Sequence, residues 1–195
     1  MSPRLSARDL AQVAVFAALI AALGLPGSIT VGISGVPITL QTLGVIAAGA
    51  VLGARKGAAA VLVLLALVAI GLPLLAGGRG GLGVFAAPSV GYLVGWVVGA
   101  FVIGALTRLI VPSYPLWAGL LVNAVGGIVV IYVFGVLGLL LRTDLGVGAA
   151  VASTGAYVPG DAVKVVVATV VAKGVHRAYP GLVAPRRRAT VGSAA

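Results

Sequence analysis

Cysteine and glutamate are absent from the 195 residues, and histidine occurs once, as His176. Without thiols there are no disulfides, thiolate metal sites or cysteine nucleophiles. Asp9, Asp144 and Asp161 are the whole acidic complement, too few for a metal cluster. An intramembrane enzyme would need a nucleophile with a base, and His176 falls near a cytoplasmic helix end, far from Asp161. No GxxxxGK[ST] occurs, so the chain has no P-loop of its own for ATP. Charge is scarce as well: 8% of residues are charged and 61% are apolar. A soluble domain is about a quarter charged and about half apolar, so this chain cannot cover a water-facing surface. Disorder is excluded by the same figures. What remains is an integral membrane protein.

Apolar runs divide the chain into six expected spans, at about 10–25, 39–53, 57–72, 90–110, 115–140 and 159–177. The first follows Arg4 and Arg8, as a signal peptide would. It lacks Ala-x-Ala before its polar break, and the later runs are equally apolar, so it reads as a span. Thirteen Lys and Arg give a formal charge of +10. In a soluble protein that would suggest nucleic acid; here the positives gather at span ends, and no nucleic-acid partner is expected. With the N-terminus inside, ten positives fall on cytoplasmic segments (Arg4, Arg8, Arg55, Lys56, Arg108, Lys173, Arg177 and Arg186 to Arg188). Only Arg79 and Arg142 fall outside. This positive-inside bias, with an even number of spans, puts both termini in the cytoplasm. The expected fold is one all-α bundle of six transmembrane helices over 1–180, with a basic cytoplasmic tail over 181–195.

Four places could carry chemistry. Asp161 and Lys164 lie three apart at the start of the last span, hence on one helix face. Ionisable groups at membrane depth are costly and normally face a functional interior. They either bracket a polar ligand or form an ion pair at the outer interface. Between the third and fourth spans, Gly78 to Gly83 spell a formal GxGxxG. It joins two membrane helices instead of following a strand, so the dinucleotide reading fails. Glycines this dense, including Gly78, Gly80 and Gly81, let backbone approach a ligand or let the loop act as a lid. Thr39 and Gln41 open the second span, as ligand contacts or as caps. Asn123 in the fifth span is a ligand contact or a link between helices. Ala14, Ala18 and Ala22 on the first span, and Ala17 with Ala21, have the small-residue spacing that permits close helix approach, within the chain or to a partner.

Three blocks carry a family resemblance: VPITLQTLG (Val36 to Gly44), GLPLLAGGRGGLGVFAAPSVGYLVG (Gly71 to Gly95) and PGDAVK (Pro159 to Lys164). Together and in this order they resemble BioY, the biotin-specific substrate-capture subunits (S components) of energy-coupling factor (ECF) transporters. The resemblance implies a six-helix, multi-pass protein of the prokaryotic plasma membrane that binds biotin from outside, has no enzymatic activity and needs no cofactor. It implies as partners a transmembrane coupling protein (T component) and two ABC-type ATPases, with Ala14 and Ala18 as the docking positions. It also makes Asp161 and Lys164 substrate contacts. Asp161 suits the ureido N–H groups of biotin and Lys164 its carboxylate, with a swapped pose as the alternative. Thr39 and Gln41 would complete the polar ring, Tyr92 would pack on the bicycle, and the glycine loop would close over it. The chain departs from the family at Leu74-Leu75 and at Pro88-Ser89-Val90-Gly91-Tyr92, where Pro-Thr-Gly-Gly-Tyr is usual. The competing reading is an autonomous channel or proton-coupled transporter with Asp161 as relay, which uptake in cells lacking any ECF ATPase would favour.

Overall fold

The computed structural model describes residues 6–30 and 35–185. Arg4 and the Arg186 to Arg188 cluster lie outside the described residues. The chain is mostly helical: α1 (Ala7–Ala22), β1 (Ile29–Thr30), β2 (Pro37–Ile38), α2 (Gln41–Leu52), α3 (Ala54–Ala69), α4 (Val90–Ile110), α5 (Leu116–Ala124), α6 (Ile131–Arg142), α7 (Val147–Gly155) and α8 (Val158–Ala178). A π-helical segment, Val125–Val130, makes α5 and α6 one continuous rod. The strands form a two-residue antiparallel hairpin, Ile29 opposite Ile38 and Thr30 opposite Pro37.

Among the described residues, two helices are long and apolar enough to cross a membrane: Val90–Ile110, 21 residues of mean hydropathy 2.0, and Leu116–Arg142, 27 residues of mean hydropathy 2.6. A third arises if α7 and α8, bent by 52°, count as one span. The helices expected at 90–110 and 115–140 therefore stand close to where the apolar runs put them. Helix α1 starts earlier than its run. The Ser6 hydroxyl accepts from the Asp9 N–H at 3.2 Å, and the Ser6 N–H donates to the Asp9 carboxylate at 3.1 Å, a reciprocal cap. Helix α7 was not expected. Pro159, the second residue of α8, keeps α7 from running on into it: it has no N–H to give the carbonyl four residues back, on Gly155, where α7 ends.

α4 is the central helix, packed against α2, α3 and α6. Its Gly91, Gly95 and Gly99 form a stripe with four-residue spacing that lies on the backbone of the α5–α6 rod. A Cβ at Gly91 would collide with the Phe134 carbonyl oxygen, and one at Gly99 would stand 2.7 Å from that of Gly126. Lipid gives helices no hydrophobic reason to associate, so close backbone approach supplies the contact instead.

The two ends of the bundle differ in charge. At one end Lys56 donates to Asp9 at 3.1 Å and to Gln12 at 2.7 Å. His176 bonds the Ala50 carbonyl at 2.8 Å, and Val183 packs beside Gly53. These contacts bring together the α1 start, the α2–α3 joint and the α8 end. Gly104 against Ala54 adds the end of α4. Arg8, Arg55, Lys56, Arg108, Lys173 and Arg177 thus gather at one end. The hairpin, the glycine-rich loop and the start of α8 lie at the other.

Candidate binding site

Pro159 near the α8 start leaves the first turn intact, because N–H groups there have no intrahelical partner. Asp161 follows in that turn, where the positive end of the helix dipole favours a carboxylate. Lys164, three residues on, reaches Asp161 Oδ1 with its Nζ at 2.7 Å, both side chains being 7% exposed. The other carboxylate oxygen, Oδ2, accepts from the Tyr132 hydroxyl at 2.7 Å. The carboxylate is thus held from two sides, by a cation on its own helix and a phenol from α6.

This pair lines a cavity of about 50 Å³. Val36 to Thr39 of the hairpin close one side, Thr42 of α2 stands beside them, Tyr92 and Trp96 of α4 form a wall, and Tyr157 sits at the α7–α8 bend. Tyr157 meets Tyr92 edge-on at 6.0 Å and Tyr132 at 6.3 Å between ring centroids. Its hydroxyl donates to the Val36 carbonyl at 3.4 Å. The buried Tyr92 hydroxyl has no hydrogen-bond partner among the described residues. Pockets that take small molecules measure about 300–1,000 Å³, so a ligand of ordinary size enters only as the walls move.

The structure brings Asp161, Lys164, Thr39 and Tyr92 together around this cavity. It gives the other candidates different surroundings. Gln41 is buried and spends its amide on the scaffold, donating to the Ile20 carbonyl at 3.1 Å and the Leu74 carbonyl at 3.0 Å. It also accepts the Ala76 N–H at 2.9 Å. Gly78 lines a separate apolar cleft of about 550 Å³ between the end of α1 and the loop. Gly80 lies against the Leu72 carbonyl so closely that a Cβ would collide with it. The Gly81 N–H donates to the Val68 carbonyl at 2.7 Å, and Leu75 and Arg79 exchange backbone bonds at 3.0 and 3.1 Å. The loop is therefore tied down at several points. Asn123 donates to Thr169 at 2.8 Å and to Tyr114 at 3.2 Å, linking α5 to α8. On α1, Ala14 and Ala18 are exposed, whereas Ala17 is buried.

Trp96, Tyr132 and Tyr157 escaped the sequence reading. A signal existed for two of them: Tyr92 and Trp96 are four apart, on one face of a helix, and Tyr157 is four residues before Asp161, whose N–H its carbonyl accepts at 2.9 Å. Nothing local connects Tyr132 to Asp161.

Apolar helices enclosing a buried ion pair beside a tyrosine-walled cavity define a helical membrane protein with an internal polar site. The model of the BioY family matches residues 1–181. The biotin transporter BioY of Rhizobium etli is 50% identical over 183 residues, covering 90% of this chain and 97% of the relative. That of Rhodobacter capsulatus is 47% identical, covering 92% and 98%. A crystal structure described as the S-component for biotin from an ECF-type ABC transporter superposes with a TM-score of 0.84 at 29% identity, over 91% of this chain and 95% of the other. The chain belongs to the BioY family.

Proposed function

We propose that this chain is the biotin-binding S component of an ECF-type ABC transporter, a multi-pass protein of a prokaryotic plasma membrane that captures biotin from outside. The reading has six spans: α1, α2, α3, α4, the α5–α6 rod and the α7–α8 pair. Both termini are cytoplasmic, and the cationic end of the bundle supports this orientation. The exposed Ala14 and Ala18 face serves as the docking surface for a T component, which joins the subunit to two ABC-type ATPases.

The observation that carries the reading is the Asp161–Lys164 pair buried at the cavity wall in a chain of this family. The spacing of the pair supports a division of labour different from the one given above, in which Lys164 met the carboxylate. Charged atoms 2.7 Å apart address one end of an extended ligand. The ureido group of biotin sets N–H donors beside a carbonyl acceptor, which matches a carboxylate beside an ammonium. Asp161 accepts from an N–H, and the remaining donors of Lys164 meet the carbonyl. Tyr92 and Trp96 pack on the bicycle.

Biotin binding to the purified, detergent-solubilised chain without ATP tests the reading. Asp161→Asn and Lys164→Met each weaken it by about tenfold to a hundredfold, the value of a hydrogen bond to a charged group. Lys164→Met weakens biotin methyl ester as much as biotin; sparing of the ester would move Lys164 to the carboxylate. A folded wild-type chain that does not bind biotin would sink the assignment.

A further inference from the structure

The Tyr132 hydroxyl donates its only proton to Asp161 Oδ2 at 2.7 Å, and the Tyr132 side chain lines the cavity. A phenol oxygen that has given its proton away keeps its lone pairs, so toward a ligand it acts as an acceptor. Asp161 retains an unused lone pair on each oxygen, and the Lys164 ammonium retains donors beyond the one on Oδ1. The polar end of the cavity therefore offers two neighbouring acceptors, Asp161 and Tyr132, beside one cationic donor.

We propose that Tyr132 is a specificity-determining residue of this site: it fixes the Asp161 carboxylate and turns its own oxygen, as an acceptor, toward an N–H of the ligand. The inference rests on the reading that Asp161 faces the ureido end of biotin. It deepens that reading by defining the ligand class as a urea or amide head with N–H beside C=O. A carboxylate head would bring its lone pairs against those of Asp161 and Tyr132 and is disfavoured. A head with its nitrogens alkylated leaves two buried acceptors unpaired, a penalty that a site built for hydrogen bonding imposes strongly.

The test compares biotin, biotin methyl ester and biotin methylated on its ureido nitrogens, on the full-length chain in detergent. Tyr132→Phe weakens biotin and its methyl ester about tenfold and affects the methylated analogue little, so the preference for biotin over that analogue shrinks by about the same factor. A purely structural hydroxyl would weaken all three ligands alike, and that result would overturn the assignment while leaving the biotin reading intact. A second measurement is Tyr132→Phe in an Asp161→Asn background. The effect of the hydroxyl shrinks there because its partner is no longer a carboxylate, and an undiminished tenfold loss would also overturn the proposal. Failure of the folded wild-type chain to bind biotin would overturn both readings and is seen before any variant is made.

Discussion

Asp161 and Lys164 depend on each other before they meet any ligand. Removing one partner of a buried pair strands a charge and costs about 3–5 kcal/mol, whereas replacing both with groups of similar volume is often neutral. Asp161→Asn/Lys164→Met is therefore expected to melt higher than Lys164→Met alone, although neither binds biotin well. A double variant less stable than the single one would count against the pair as drawn. Asp9 offers a contrast at the water-facing start of α1. Hydrogen bonding from the Ser6 hydroxyl, then from Lys56, lowers its carboxyl to about 2, from an ordinary value of 3.8. A depressed carboxyl stabilises the fold above its ordinary value, and that contribution fades as pH falls through the folded value. The stability advantage of the wild type over Asp9→Asn, read from melting in detergent, should be constant near pH 6 and vanish between about pH 4 and pH 2. Persistence below that window would mean that the cap and the Lys56 contact contribute no charge-dependent stability.

Helix α4 meets the α5–α6 rod through glycine, backbone against backbone. Gly91→Ala introduces a Cβ into the Phe134 carbonyl, and a backbone oxygen cannot rotate away as a side chain can. The expected cost is about 1–3 kcal/mol, the usual range for overpacking. The same change at Gly148, where nothing lies within 4 Å, should be nearly neutral, and equal melting of the two variants would refute the close-packed stripe. Much of this architecture could be read from the chain. Apolar runs located α4 and the α5–α6 rod, because hydropathy is a local property. Asp161 and Lys164 declared themselves by their cost in an apolar run and their three-residue spacing. What stayed hidden depends on contacts distant in sequence. Tyr132 is 29 residues from Asp161, and its side of the rod is set in part by the π-helical turn just before it, which shifts the helical phase without a mark in composition. Gln41 looked like a ligand contact because a polar residue at membrane depth invites that reading. Its partners are the Ile20 carbonyl near the end of α1 and the Leu74 carbonyl and Ala76 amide of the loop after α3, which no periodicity brings together.

The charge-segregated ends and the exposed alanine face belong to the molecule as a whole. A chain without cysteine accepts single-cysteine labelling with no background. In the proposed orientation, a membrane-impermeant maleimide on intact cells labels Arg142→Cys, and it labels Arg108→Cys only after permeabilisation. The reverse pattern would invert the topology. Ala14→Trp and Ala18→Trp enlarge residues that are exposed in the isolated chain. They are expected to abolish co-purification with the T component while leaving biotin affinity within about twofold, since α1 contributes no side chain to the cavity lining. Loss of both properties together would place α1 in the binding site. The narrowness of the cavity, about 50 Å³, also has a consequence in time. If the walls must part before a ligand enters, capture is paced by the protein. The observed association rate then stops rising with biotin concentration once opening becomes the slow step. The same barrier slows departure, so in the proposed reading a captured ligand stays long after free ligand has gone.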